Sequence, residues 1–263
     1  MRELFDEVAG QSEANPMEAA RRSARAVRRK RFYSDAGVGE ADGGFTVTLD
    51  GKPIKTPSGR TVIVPVRTLA ETIAAEWQAQ GEFIEPLTMP VTRFANSVVQ
   101  GVIDNIAAVS DDVAKYFASD LLFYRAGHPL ELAAREAAHW DPILFWAAET
   151  LGAHFMLAEG VMHVRQPDPA IAAARGALPD DPWQIAALHV ITTLTGSALM
   201  ALALFHGVIE PDQAWAAAHV DEDWNVEKWG VDEEVANKRL SRYVDFEAAN
   251  RILEAMKGPE AGG

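Results

Sequence analysis

The chain has 263 residues, no cysteine and a formal net charge of -14. The missing cysteine removes disulfides, thiolate metal sites and cysteine nucleophiles together, and the acidic balance repels phosphate backbones, which argues against nucleic acid as the main partner. Hydrophobic residues at 48% and charged residues at 24% indicate a globular chain with enough apolar matter for a sizeable core.

The first residues, Met1-Arg-Glu-Leu-Phe5, lack the apolar stretch of a secretory signal, and the early acids argue against a transit peptide. Arg21, Arg22, Arg25, Arg28, Arg29, Lys30 and Arg31 form a basic run. It reads as a solvated helical arm over residues 1–30, or as a contact for an acidic partner surface. Gly37, Gly39, Gly43 and Gly44 resemble a phosphate loop in composition alone. They precede a strand, whereas a phosphate loop follows one and opens a helix, so a mobile loop is expected.

Residues 31–108 read as a small β-rich α+β domain. Phe45-Thr-Val-Thr-Leu49 alternates with the period of a half-buried strand, and Asp50-Gly51 supplies a tight hairpin turn. Ile54 and Thr61-Val-Ile-Val64 continue the strand pattern. Leu69, Ile73, Ala74 and Trp77 share one helical face, and Pro90 stands where a helix would begin. On this stripe Trp77 is expected to hold its helix against the sheet.

Residues 109–263 read as a larger all-helical domain. A helix is expected over about 130–151, kinked or divided by Pro142. Pro182 to Ile209 carries no formal charge and is long enough for a membrane span. Its Gln, His, Thr and Ser residues would be costly in lipid, so one central core helix is expected, with Ser197 inside it. Gly207 would end that helix and Pro211 open the next. A last helix is expected over 232–256, followed by a frayed glycine-rich tail.

Catalytic signatures are missing, and the scattered histidines form no metal-ligand spacing. The distinctive feature is Asp221, Glu222 and Asp223. On a helix, Glu222 would share a stripe with Trp215, Ala218, His219, Val226 and Trp229. A carboxylate among tryptophans needs a partner. An internal salt bridge to Arg93 or Arg125 would supply one. Alternatively, Asp221, Glu222, Asp223, Trp224 and Trp229 form an acidic, aromatic-rimmed surface for a partner's arginine. A metal-dependent hydrolase using the same three acids is the competing reading. Asp120, Tyr124 and Arg125 are expected to be structural, at the domain junction.

An ordered series of motifs is similar to the Atp12 family of F1 assembly factors. It comprises Arg31-Phe-Tyr33, Leu49-Asp-Gly-Lys-Pro-Ile-Lys-Thr-Pro57, Ala75-Glu-Trp77, Gln80, Pro86 and Met89-Pro-Val-Thr92. Asp120-Leu-Leu-Phe-Tyr-Arg125, Trp140-Asp-Pro142, Gly196-Ser197, Asp221-Glu-Asp-Trp-Asn225 and Lys228-Trp-Gly230 complete it. The series covers roughly 31–255. Phe123 departs from it, standing where many members carry Cys. The resemblance implies a non-catalytic chaperone that binds the free α subunit of F1-ATPase until the β subunit displaces it. It implies no cofactor, metal, small-molecule substrate or membrane insertion. The expected location is a bacterial cytoplasm, or the mitochondrial matrix for a eukaryotic chain.

Overall fold

A computed structural model describes residues 29–257. The basic run as far as Arg28 and the tail from Gly258 lie outside them. The described chain is α+β, with a strand-rich beginning and a helical remainder.

Strand β1 (Arg29–Lys30) pairs antiparallel with β6 (Phe83–Ile84). Strands β2 (Ala36–Ala41) and β3 (Gly44–Leu49) form a hairpin, and the other edge of β3 receives both β4 (Lys52–Pro53) and β5 (Ile63–Val64). The expected loop over Gly37–Gly44 is therefore a strand and its turn. Gly37 and Gly39 lie opposite Thr48 and Thr46, so the threonine side chains take the space that a larger neighbour would fill. Asp50 and Gly51 both adopt positive φ, at 46° and 78°, as the tight turn requires. Val47 and Leu49 are buried on one face of β3, and Thr46, on the other, is buried too, its hydroxyl satisfied by donating to the Val62 carbonyl at 2.8 Å. Helix α1 (Arg67–Gln78) buries Leu69, Ala70, Ile73 and Ala74 and packs on β2 and β3.

After α2 (Pro90–Ser97) the backbone continues through a π-helical turn, Val98–Val102, into α3 (Ile106–Tyr116). A 3-10 turn, Leu121–Phe123, leads into β7 (Tyr124–Arg125). Helix α4 (Leu130–Leu151) runs undivided through Pro142. Burial of Trp140, Ile143 and Ala147 around the proline offsets the lost hydrogen bond. β8 (Ala158–Glu159) pairs parallel with β7, a strand pair inside the helical part.

Helices α5 (Asp168–Gly176), α6 (Pro182–Thr195), α7 (Ala198–Phe205), α8 (Pro211–Ala218), α9 (Val220–Trp229) and α10 (Glu233–Met256) complete the chain. The uncharged segment is thus two helices. Gly196 takes a left-handed φ of 76° and ends α6, and Ser197 starts α7 by accepting a hydrogen bond from the Met200 N–H. Ala198 through Leu204 are all buried, the environment that a helix apolar on every side demands. Helix α6 lies between α3 and α10, and α10 also contacts α2, so one continuous core joins the strand-rich and helical parts. No helix among the described residues is long and apolar enough to cross a membrane.

Gly44 has φ 150°, and a Cβ there would overlap the Val64 carbonyl oxygen, a backbone atom that cannot yield. Gly44→Ala is expected to cost about 2–4 kcal/mol, read as a lower denaturant midpoint. Gly59→Ala, at a left-handed turn with open space around it, is expected to cost about 1 kcal/mol.

Candidate functional site

Most of the singled-out residues are engaged in building the fold. The Arg31 guanidinium donates to the carbonyls of Tyr33, Ser34, Gln78 and Gln80, closing the end of α1. The Tyr33 hydroxyl donates to the Trp77 carbonyl at 2.6 Å, and the two rings meet edge to face. Trp77 is half-buried beside Tyr33. Glu76, next to it, accepts from the Val91 and Thr92 N–H groups and the Thr92 hydroxyl, so α1 caps the start of α2. Burial raises the Glu76 carboxyl, and these bonds oppose the shift.

Asp120 is wholly buried. One carboxylate oxygen accepts from Leu122 N–H and the other from Leu199 N–H, both at 3.1 Å, which ties the 3-10 turn to the start of α7. Burial outweighs these bonds and pushes its pKa up to about 6. Arg125 donates to the Leu122 carbonyl, pairs with Asp141 at 2.7 Å and lies over the Trp140 ring. Tyr124 hydroxyl meets Ser119 and His163. Arg93 pairs with Asp245 at 2.8 Å. Neither Arg93 nor Arg125 is the partner of the acidic group.

That group opens α9, where three acids in the first turn complement the helix dipole. The stripe running from Trp215 to Trp229 is interrupted, because the chain leaves helical geometry at His219 between α8 and α9. Trp215 stays inside, against His219, Tyr243 and Phe246. Trp229 is 77% exposed, while Trp224 is buried beneath Arg135 and Lys228, whose charges lie 5.1 and 4.4 Å from its ring centre. Trp224 therefore supports the surface from below.

The three acids have separate settings. Asp223 makes a two-pronged ion pair with Arg239 of α10. Asp221 hydrogen-bonds the buried Glu136 carboxyl, which also accepts from Ala126 N–H; burial first, and then the Asp221 charge, raise Glu136. Glu222 is about half exposed, 3.9 Å from His219 Nε2 and beyond hydrogen-bond reach of it. His219 Nδ1 lies 2.7 Å from the Trp215 carbonyl, which can only accept, so Nδ1 carries the proton and Nε2 faces Glu222. Burial lowers the His219 pKa. A groove of about 290 Å³ runs beside these acids, lined by Arg135, His139, Asp223, Val226 and Glu227. Arg135 and Glu227 bridge it with bonds of 2.6 and 2.9 Å. Beyond it, Val231, Val235, Leu240 and Val244 are exposed along the turn into α10 and its first half. Periodicity gave no warning of that apolar rim, since these residues sit singly among charges. Among the described residues no three metal-ligating side chains converge, so the acids do not assemble the hydrolase site that was the competing expectation.

A helical core stands against a small antiparallel sheet, and the groove beside the acids is bordered by an exposed apolar rim. The family model for the ATP12 chaperone protein matches residues 30–148. A crystal structure of a putative chaperone from Agrobacterium tumefaciens is 45% identical, with 97% of each chain covered and a TM-score of 0.85. Atp12 from Paracoccus denitrificans is 36% identical over 86% of this chain and 98% of its own, with a TM-score of 0.82. Mitochondrial protein atp12 of Schizosaccharomyces pombe is 22% identical, covering 86% of this chain and 84% of its own. The chain belongs to the Atp12 family of chaperones.

Two buried groups, His219 and Asp120, titrate with opposite effect. Native His219 binds its proton more weakly than the unfolded chain does, so its contribution is full above pH 6.5 and is lost as pH falls below that value. Native Asp120 binds its proton more tightly, so its contribution is full below 3.8 and is lost as pH rises through about 6. In denaturant titrations at pH 7.5, 6.5 and 5.5, the stability advantage of wild type over His219→Gln is expected to shrink with acidification. The advantage over Asp120→Asn is expected to grow.

Proposed function

We propose that this chain holds the free α subunit of F1-ATPase and shields it until the β subunit takes its place. The observation that carries the reading is the contrast between motifs. Those before residue 200 are engaged in caps, ion pairs and junctions, whereas Asp221–Gly230 presents half-exposed Glu222 and exposed Trp229 beside the exposed Val231, Val235 and Leu240.

An unassembled subunit exposes apolar surface meant for its neighbour, and such surface aggregates. Trp229 and the aliphatic rim offer it a temporary cover, and Glu222 with Asp221 and Asp223 offers charge to basic groups of the client. Discrete apolar contacts and half-solvated charges favour a complex that a larger native interface can displace by mass action. The exchange requires no nucleotide hydrolysis. Bacterial relatives and one labelled mitochondrial fit a bacterial cytoplasm or a mitochondrial matrix.

Tagged chain mixed with purified α subunit is expected to retain it without ATP, to ignore free β, and to release α when β is added. Binding of neither subunit by a folded chain would overturn the proposal. Because Glu222 has no hydrogen-bonded cation, Glu222→Lys is expected to leave the denaturant midpoint within about 1 kcal/mol of wild type. Capture of α is expected to fall about tenfold or more. A molten or aggregated variant would show instead that Glu222 serves the fold.

A further inference from the structure

The loop between α4 and α5 turns its large apolar residues outward. Met156, Leu157, Val161 and Met162 are exposed within seven residues, Val161 at 94% and Met162 at 77%. The loop is nonetheless braced from behind. Gln166 is buried, and its side chain accepts from the Met156 N–H at 2.8 Å and donates to the Met156 carbonyl at 3.0 Å. Phe155 stacks on Phe123 with ring centres 4.8 Å apart. The Gly160 N–H donates to the Arg125 carbonyl at 2.8 Å, next to the β7–β8 pair. These braces use backbone atoms and the side chains of Gln166, Phe155 and Phe123. Neither methionine thioether takes part in them.

Cysteine is absent, so the sulfur of this chain is confined to seven methionines. Met1 and Met17 lie outside the described residues. Of the other five, Met89 and Met200 are buried and Met256 packs against the core. An oxidant in solvent reaches a buried thioether only when the fold opens. Among the described residues, Met156 and Met162 are the methionines it reaches with the fold closed, being 53% and 77% exposed.

We infer that Met156 and Met162 form a modification site, at which a hydroperoxide turns this apolar loop polar while the fold stays intact. A sulfur lone pair takes the outer peroxide oxygen, and the O–O bond breaks. The proton of the transferred oxygen passes to the departing one, so hydrogen peroxide leaves as water. Sulfur loses two electrons and the peroxide gains them. The product, methionine sulfoxide, is polar, and sulfoxide reductases restore the thioether. The same change in a core would disrupt packing. Here it falls on two side chains in solvent, and the braces behind them survive it. The loop shares no residue with the acidic groove of α9, so the site stands apart from the client reading.

Hydrogen peroxide applied to the native chain, with each methionine followed by peptide mass spectrometry, tests the inference. Met156 and Met162 are expected to gain oxygen about a hundredfold or more faster than Met89 and Met200, whose sulfurs wait for the fold to open. The denaturant midpoint is expected to stay at the untreated value. Retention on a hydrophobic-interaction column is expected to fall, and to recover after treatment with reductases for both sulfoxide epimers. The double variant Met156→Leu, Met162→Leu keeps the apolar loop without its sulfur. It is expected to hold its retention under the same peroxide, which separates the loop from Met1, Met17 and Met256. Oxidation of Met89 or Met200 as fast as the loop pair, an equal loss of retention in the variant, or unfolding of wild type as the loop oxidises would each overturn the inference.

Discussion

The arrangement depends on a buried carboxylate at a helix break. Asp120 joins the Leu122 and Leu199 N–H groups, two points 77 residues apart in sequence. From there the order propagates through short bonds. Arg125 grips the Leu122 carbonyl, pairs with Asp141 and covers Trp140. Trp140 Nε1 donates to the Ala217 carbonyl at 2.8 Å, at the end of α8, just before the backbone turns into α9. Ala126 N–H meets Glu136, which meets Asp221. A charge in the core is thus connected residue by residue to the acids on the surface. Its burial is costly, and removing it would leave two buried donors unsatisfied.

Such a framework suits a protein that must present apolar residues without collapsing around them. Trp229, Val231, Val235 and Leu240 remain exposed because α9 and the first half of α10 are held from behind. Trp224 is clamped by Arg135 and Lys228, and Asp223 is locked to Arg239. Rigid supports lower the ordering cost of binding. The net charge of -14 opposes self-association of such a surface.

The β3 alternation, the Asp50-Gly51 turn and the α1 stripe are legible in the sequence because each depends on neighbours within a few residues. The errors arose where local pattern met tertiary context. Pro142 suggested a division, but packing around Trp140 and Ile143 holds α4 together. The uncharged run from 182 suggested one helix, although Gly196-Ser197 carries the stop and start signals within it. The glycines at 37–44 suggested a loop, and pairing with β3 made them a strand.

By itself the sequence determined the α+β class, the acidic balance, the absence of cysteine chemistry and, through ordered motifs, the family. Those properties reside in composition and short-range spacing. Only the tertiary structure decided which of three adjacent acids is paired with an arginine and which of two nearby tryptophans faces solvent. Those outcomes depend on residues such as Arg239 and Glu136, brought to the site by folding. Sequence spacing cannot encode the partner of a side chain when that partner arrives from another helix.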